Sequence, residues 1–381
     1  MPKIAFIDLH AQQERIRKKI DAAIKKVLDH GKYIMGPEIF ELEERLAEYV
    51  GVKHCVSCAS GTDALLMALM ARGIGPGDAI FTTPFTFVAT GEVISLLGAT
   101  PVFVDIDPQT FNLDPQKLEE AITNCESYSS KSSQPLVPRG IIPVDLFGLP
   151  AEYDAINSIA REHGIFVVED AAQGFGGVYK GRTAGSLAAV ATTSFFPAKP
   201  LGCYGDGGAI FTDDDDLAEI LCSIRVHGKG EDKYDNVRIG VNGRLDTLQA
   251  AILLAKLDIF SDELEARQRV ADTYSRLFAD VSEIVTPYVF NEGKSAWAQY
   301  SILVDDRVAL QKKLNSAGIP SAIYYPQPLH LQAAYSDLGY AVGDFPVTEG
   351  IAKRILSLPM HPYLEEDKQK KIVNVIKSLF R

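Results

Sequence analysis

Between His54 and Thr212 the chain alternates short apolar runs with helical patterns, and no other feature restricts its fold so tightly. Strand-like runs fall at residues 54–57, 79–82, 101–104, 140–144, 165–168, 189–194 and 208–212. Helical spacing of apolar residues separates several of them, at residues 61–70, 90–97, 115–122 and 153–163. Runs this short and this apolar predict strands covered on both faces, hence an α/β domain around a largely parallel sheet.

Upstream, Glu14 to His30 carries Ile16, Ile20, Ile24 and Val27 on one stripe. Glu38 to Val50 repeats the pattern with Ile39, Leu42, Leu46 and Tyr49, so two amphipathic helices precede the sheet. After Leu217 the texture changes. Leu245 to about Phe278 reads as one long charged helix; the remainder mixes strands such as Tyr300 to Val304 with helices at Val308 to Ala317 and Glu366 to Phe380. A chain of 381 residues exceeds one ordinary core. We expect a large domain over residues 1–255 and a smaller α+β domain over residues 256–381. The serine-rich stretch from Asn124 to Arg139 reads as an exposed, mobile loop.

Chemistry-bearing residues concentrate where the predicted strands end. Asp170 closes Val167-Val-Glu-Asp170 at the carboxyl end of a parallel strand, where open α/β sheets place their ligands. Lys199 sits in Ser194-Phe-Phe-Pro-Ala-Lys-Pro-Leu-Gly202, and a lysine inside apolar sequence is either used or snorkels. That pair is what a pyridoxal phosphate enzyme requires. The amine captures the cofactor's aldehyde, and the carboxylate keeps the pyridine nitrogen protonated so that the ring accepts electrons. A phosphate favours the free N–H groups of a helix start. Ser60-Gly61-Thr62 offers them, with the Ser60 and Thr62 hydroxyls and with Ser194 beside the lysine. Read alone, Ser60 is equally a plain helix cap. Gln173 is a candidate for the ring hydroxyl, and Phe87, in Pro84-Phe-Thr-Phe-Val88, for stacking on the ring. Each has an ordinary reading too, as a turn or core residue. The glycines of Leu201-Gly-Cys-Tyr-Gly-Asp-Gly-Gly208 indicate backbone pressed against a neighbour. They contain no G-x-G-x-x-G, which argues against a nicotinamide oxidoreductase.

In this order the segments resemble the DegT/DnrJ/EryC1/StrS family of sugar aminotransferases, which share the type I aspartate-aminotransferase fold. The resemblance runs from Gly31-Lys-Tyr-Ile-Met-Gly-Pro37 through Ser60-Gly-Thr-Asp-Ala-Leu65, Glu169-Asp-Ala-Ala-Gln173 and Ser194-Phe-Phe-Pro-Ala-Lys199. It continues at Gly205-Asp-Gly-Gly208 and Asn242-Gly-Arg-Leu-Asp246 and ends near Leu358-Pro-Met-His-Pro362, covering essentially the whole chain. It implies a pyridoxal-phosphate-dependent transferase of fold type I: a large domain with a mixed, mostly parallel sheet and a smaller α+β C-terminal domain. It also implies that Lys199 holds the cofactor, Asp170 pairs with the pyridine nitrogen, Gln173 lies near the ring hydroxyl, and Thr62 and Ser194 hold the phosphate. Asn242 would reach the phosphate of a neighbouring subunit, making a homodimer with shared sites, and Arg244 would lie close by to meet an acidic substrate. L-Glutamate would be the amino donor and a keto- or aldehydo-sugar the acceptor. The family's dehydratases carry histidine in place of the lysine, so Lys199 favours amino transfer.

Pro197-Ala-Lys-Pro-Leu-Gly-Cys-Tyr204 and Gly240-Val-Asn-Gly-Arg-Leu-Asp-Thr-Leu-Gln249 are similar to the subgroup that aminates UDP-linked 3-keto-hexuronates for cell-surface polysaccharides such as O-antigen. The chain departs from that subgroup in Tyr324-Tyr325-Pro326, where His-Tyr-Pro is common, in Asp145, where histidine is frequent, and in the serine-rich stretch. Other relatives aminate a free octulosonate, and that alternative stays open. Tyr324, Tyr325 and His330 are candidate substrate contacts; a lone histidine such as His330 is as readily a hydrogen-bonded structural residue.

The bulk numbers set the outer limits. A formal charge of −12 disfavours nucleic acid as a partner, which needs a basic patch. The absence of a long apolar run argues against a membrane span, and the acidic, weakly apolar N-terminus against a signal peptide, so we expect a cytoplasmic protein. Five scattered cysteines make no disulfide framework. Cys55-Val-Ser-Cys58 lacks the second pair of a zinc site, and no metal is expected.

Overall fold

The computed structural model describes residues 4–125, 135–232 and 234–380. Two helices, α1 (Leu9–His30) and α2 (Pro37–Val50), lead into the alternating part of the chain. There follow β1 (His54–Cys58), α3 (Gly61–Ala71), β2 (Asp78–Thr82), α4 (Val88–Leu96), β3 (Thr100–Phe103), α5 (Pro115–Thr123), β4 (Val137–Ile142), α6 (Tyr153–His163) and β5 (Phe166–Asp170). A hairpin of β6 (Val178–Tyr179) and β7 (Arg182–Thr183) precedes β8 (Val190–Ser194), β9 (Gly208–Thr212) and α7 (Asp215–Arg225). The long α8 (Thr247–Phe278) then leads to β10 (Gly293–Lys294), β11 (Tyr300–Leu303), α9 (Arg307–Ser316), α10 (Pro346–Arg354), β12 (Ile355–Leu358) and α11 (Glu366–Lys377).

The main sheet has seven strands in the order β1-β9-β8-β5-β4-β2-β3. β2 runs parallel to β3 and β4, β4 to β5, and β5 to β8, whereas β9 is antiparallel to both β8 and β1. One strand therefore opposes six, the mixed, mostly parallel sheet expected. Strand period two sends neighbouring apolar residues to opposite faces. Phe81, Ile141 and Val167 pack with Leu118, Tyr153 and Ile156 of α5 and α6. Ile80, Ile142, Val168 and Ile210 pack with Leu65, Met67, Val93 and Leu221 of α3, α4 and α7. With both faces covered, alternation disappears from the sequence, as observed.

α8 spans two cores. Leu253 and Phe260 pack with Ile39, Leu42, Leu46 and Phe211. Val270, Tyr274 and Phe278 pack with Tyr300, Leu310, Leu356 and Ile372 of the C-terminal layer. The expected division at residue 255/256 thus falls inside a continuous helix.

One local expectation needs correction. The stretch from Asn124 to Arg139 is not all loop: Val137 and Pro138 pair with Asp78 and Ala79 as the start of β4, and Cys125 is buried. Residues 126–134 of that stretch lie outside the described residues. In the C-terminal layer, α10 runs directly into β12 with no turn residue between them.

Candidate active site

Register explains how residues far apart in sequence meet. Gly208 of β9 lies opposite Cys58 on one side and Ser194 on the other. The ends of β1 and β8 thereby flank Gly208, and the start of α3 crosses over it to reach Ser194. The approach is close enough to demand glycine. A Cβ on Gly61 would lie 2.5 Å from Ser194 Cβ, and one on Gly208 would lie 2.4 Å from the Ser60 carbonyl oxygen. Ser60 caps α3, its Oγ accepting from Asp63 N at 3.0 Å. The first N–H groups of α3 then point into the gap without intrahelical acceptors. Gly61, Thr62 and Ser194 therefore form a cradle that fits a phosphate.

Asp170 is 4% exposed at the tip of β5. Its Oδ2 accepts from Thr90 Oγ1 at 2.8 Å and its Oδ1 from Ala172 N at 3.2 Å. Burial raises its pKa; the Thr90 and Ala172 hydrogen bonds and the charge of Lys199 act in the opposite direction. Burial lowers the Lys199 amine, against the pull of Asp170. A buried carboxylate with no ion-pair partner among the described residues, within the electrostatic reach of an amine whose charged form burial disfavours, fits a cationic ring nitrogen at the strand tip.

Lys199 rides on a rigid loop. Lys199 N donates to Phe196 O at 2.9 Å and Cys203 N to Phe195 O at 2.8 Å. Gly202 has no room for a side chain, since a Cβ would sit 2.6 Å from the carbonyl oxygens of Phe196 and Pro197. From α8, Lys256 Nζ donates to Gly202 O at 2.6 Å and Gln249 Oε1 accepts from Tyr204 N at 2.9 Å.

Gln173, 3% exposed, accepts on Oε1 from Phe147 N at 2.9 Å and donates from Nε2 to Tyr325 Oη at 3.2 Å. Tyr325 also meets Phe85 edge-on, with centroids 6.2 Å apart. Tyr324 is half-buried, its ring 6.4 Å from that of Phe6. Phe87 is 53% exposed at the start of α4, the aspect an aromatic platform needs. Asn242 is exposed and accepts from Arg244 at 2.5 Å. Its segment is tied to the end of β1 by Ala59 N donating to Gly243 O at 3.0 Å. His330 does not join the others. It is 2% exposed, its Nε2 is 3.3 Å from Glu349 Oε1, and its ring lies 4.6 Å from that of Phe345.

Three neighbours escaped the sequence reading. Thr90 and Lys256 carried no signal there, since each is a polar residue on a helix whose partner lies far away in sequence. The third is a buried carboxyl pair behind Asp170. Glu169 accepts from Gly185 N at 2.6 Å and Leu187 N at 2.8 Å, while Asp145 accepts from Ala151 N at 3.1 Å and Tyr153 Oη at 2.9 Å. Burial pushes Glu169 up to about 7 and Asp145 well above the usual carboxylate range, with Glu169 reinforcing the latter.

The DegT/DnrJ/EryC1/StrS aminotransferase family profile matches residues 14–377. A UDP-2-acetamido-2-deoxy-3-oxo-D-glucuronate aminotransferase of Pseudomonas aeruginosa is 53% identical over 364 residues, covering 95% of this chain and 96% of that one. The crystal structure of a DegT/DnrJ/EryC1/StrS aminotransferase from Brucella abortus superposes with a TM-score of 0.94 at 53% identity, covering 99% of each chain. NtdA of Bacillus subtilis, with bound cofactor PMP, superposes at 0.88 with 32% identity, covering 99% of this chain and 86% of that one.

Proposed function

The chain belongs to the DegT/DnrJ/EryC1/StrS aminotransferase family, the pyridoxal-phosphate-dependent sugar aminotransferases, and from that premise we propose how its own residues work and on which sugar. The acceptor is a UDP-linked 3-keto-hexuronate on the way to a cell-surface polysaccharide, and L-glutamate is the donor. The observation that carries the reading is the meeting of Asp170, Lys199 and the Gly61–Ser194 cradle at the strand ends. The similarity to the Pseudomonas enzyme, whose name specifies a 3-oxo-glucuronate, supports the substrate.

When bound, pyridoxal phosphate supplies an electron-accepting ring that carries an amino group from donor to acceptor. The rest belongs to the chain. Lys199 Nζ, whose hold on its proton burial weakens, is the nucleophile and the proton carrier. Asp170 holds a proton on the ring nitrogen by its charge. Thr62, Ser194 and the α3 N–H groups hold the phosphate, Phe87 covers one ring face, and Gln173 meets the ring hydroxyl. Arg244 takes the substrate's negative charge, and Tyr324 and Tyr325 line the sugar's approach.

We read the enzyme as a homodimer in which Asn242 serves the partner's phosphate. The exposed apolar side chains of Ile34, Phe196 and Ile239, beside the segments bearing Lys199 and Asn242, support that reading. No described helix is long and apolar enough to cross a membrane, and we place the enzyme in the cytoplasm.

The test is direct. Borohydride reduction should fix the cofactor on Lys199, located by peptide mapping. The pyridoxamine form should lose its absorbance with the UDP-3-keto-hexuronate and not with its neutral 3-keto-hexosamine counterpart. A label elsewhere, or reaction with the neutral sugar alone, would overturn the assignment.

A further inference from the structure

We propose that Thr90 is a positioning residue for Asp170, fixing the orientation in which the carboxylate meets the cofactor's ring nitrogen. The proposal rests on Asp170 being that nitrogen's partner. A threonine in a helix ordinarily turns its hydroxyl back to the carbonyl three or four residues earlier. Thr90, third residue of α4, forgoes that partner and donates across 80 residues of sequence to Asp170 Oδ2 at 2.8 Å. Its single hydroxyl hydrogen is then committed. The 3.1 Å contact between Thr86 Oγ1 and Thr90 Oγ1 must therefore have Thr86 as donor. The result is a directed chain, Thr86 to Thr90 to Asp170, whose three members are 2%, 1% and 4% exposed. Linked donors polarise one another and strengthen the last bond.

The geometry leaves Asp170 little freedom. Ala172 N occupies Oδ1 at 3.2 Å and Thr90 occupies Oδ2, so rotation of the carboxylate would break both bonds. Threonine is suited to the task, because a β-branched side chain in a helix has few rotamers. The same junction presents Phe87 outward and Thr90 inward, so one turn of chain addresses both a ring face and the ring's counter-ion. Lys199 is the charged group whose field reaches Asp170 in the resting protein.

The experiment compares Thr90→Val, which keeps shape and loses the donor, with Thr90→Ser, which keeps the donor. In cofactor-free protein, the stability deficit of T90V should be largest at pH 7.5 and shrink as pH falls toward 4 and Asp170 protonates; T90S should lie near wild type. In the holoenzyme, T90V should shift the pH titration of the visible absorbance. It should also lower kcat roughly tenfold with KM nearly unchanged, the scale of a hydrogen bond to a charged group. Should T90V fail to fold, Thr86→Val gives a smaller shift in the same direction. Wild-type behaviour of T90V by both readouts, or equal damage in T90S, would overturn the proposal. Asp170→Asn separates the premise: if it keeps normal spectrum and turnover, the ring-nitrogen assignment fails whatever the cofactor-free protein shows.

Discussion

Lys256 Nζ, on a side chain 1% exposed, donates to the carbonyl oxygen of Gly202 at 2.6 Å and lies 4.3 Å from the centroid of the Tyr204 ring. A cation inside α8 thus grips the loop that carries Lys199. The helix that crosses both cores holds the lysine-bearing loop twice, through Lys256 and through Gln249.

Burial lowers the Lys256 pKa to about 8, against about 10.4 in an unfolded chain. Between those values the unfolded chain binds the extra proton, so wild-type stability rises with pH through that window. Lys256→Met removes the component. Wild-type stability relative to K256M should rise by roughly 3 kcal/mol from pH 8 to pH 10.4, measured by urea unfolding. A gap independent of pH would show that Lys256 keeps an ordinary affinity for its proton.

The phosphate cradle predicts a steric effect. Gly61→Ala drives a methyl to 2.5 Å from Ser194 Cβ, and both atoms belong to regular elements that cannot yield cheaply. Overpacking of this kind costs about 1–3 kcal/mol. G61A should bind pyridoxal phosphate roughly tenfold more weakly or worse by absorbance titration. Unchanged affinity would remove Gly61 from the site.

What the sequence discloses and what it hides follow from the range of each interaction. Asp170, Ser194 and Lys199 were legible because strand ends and a lysine in apolar sequence are local signals. Ser60 was legible as a cap for the same reason, and the cap is present. Thr90 was not, because the hydrogen bond that distinguishes it joins residues 80 apart. Lys256 was hidden likewise: its partner is 54 residues away, and the helix around it has ordinary periodicity. Asp145 stood out only as a departure from relatives, and its burial beside Glu169 gives that departure physical content.

The carboxyl pair gives a second pH prediction. Glu169 is pushed up to about 7, so between about pH 4.5 and 7 the folded state binds more protons than the unfolded chain. Stability therefore falls as pH rises through that window. Asp145→Asn keeps the acceptor for Ala151 N and Tyr153 Oη and removes the second raised titration, since burial and the Glu169 charge hold a proton on Asp145 in the folded state. D145N should flatten the decline and be more stable than wild type at pH 7.5 by about 1 kcal/mol, on the scale of a one-unit pKa change. Equal slopes in thermal unfolding from pH 5 to 7.5 would mean the two carboxyls titrate independently.

His330 separates a substrate contact from a structural residue. Its ring is buried against Phe345 and within 3.3 Å of Glu349, and Nδ1 has no hydrogen-bond partner among the described residues. Burial lowers its pKa, with Glu349 pulling the other way, so the folded state resists protonation. The unfolded chain then takes up the proton first, and stability is lost as pH falls below about 6.5. His330→Gln retains a donor for Glu349 without the titration. It should cost about 1–2 kcal/mol at pH 7.5, remove that part of the acid-side loss, and leave kcat and KM within about twofold. A rise in KM for the sugar with stability intact would instead put His330 on the substrate, which requires the ring to leave Phe345 and turn toward the cleft.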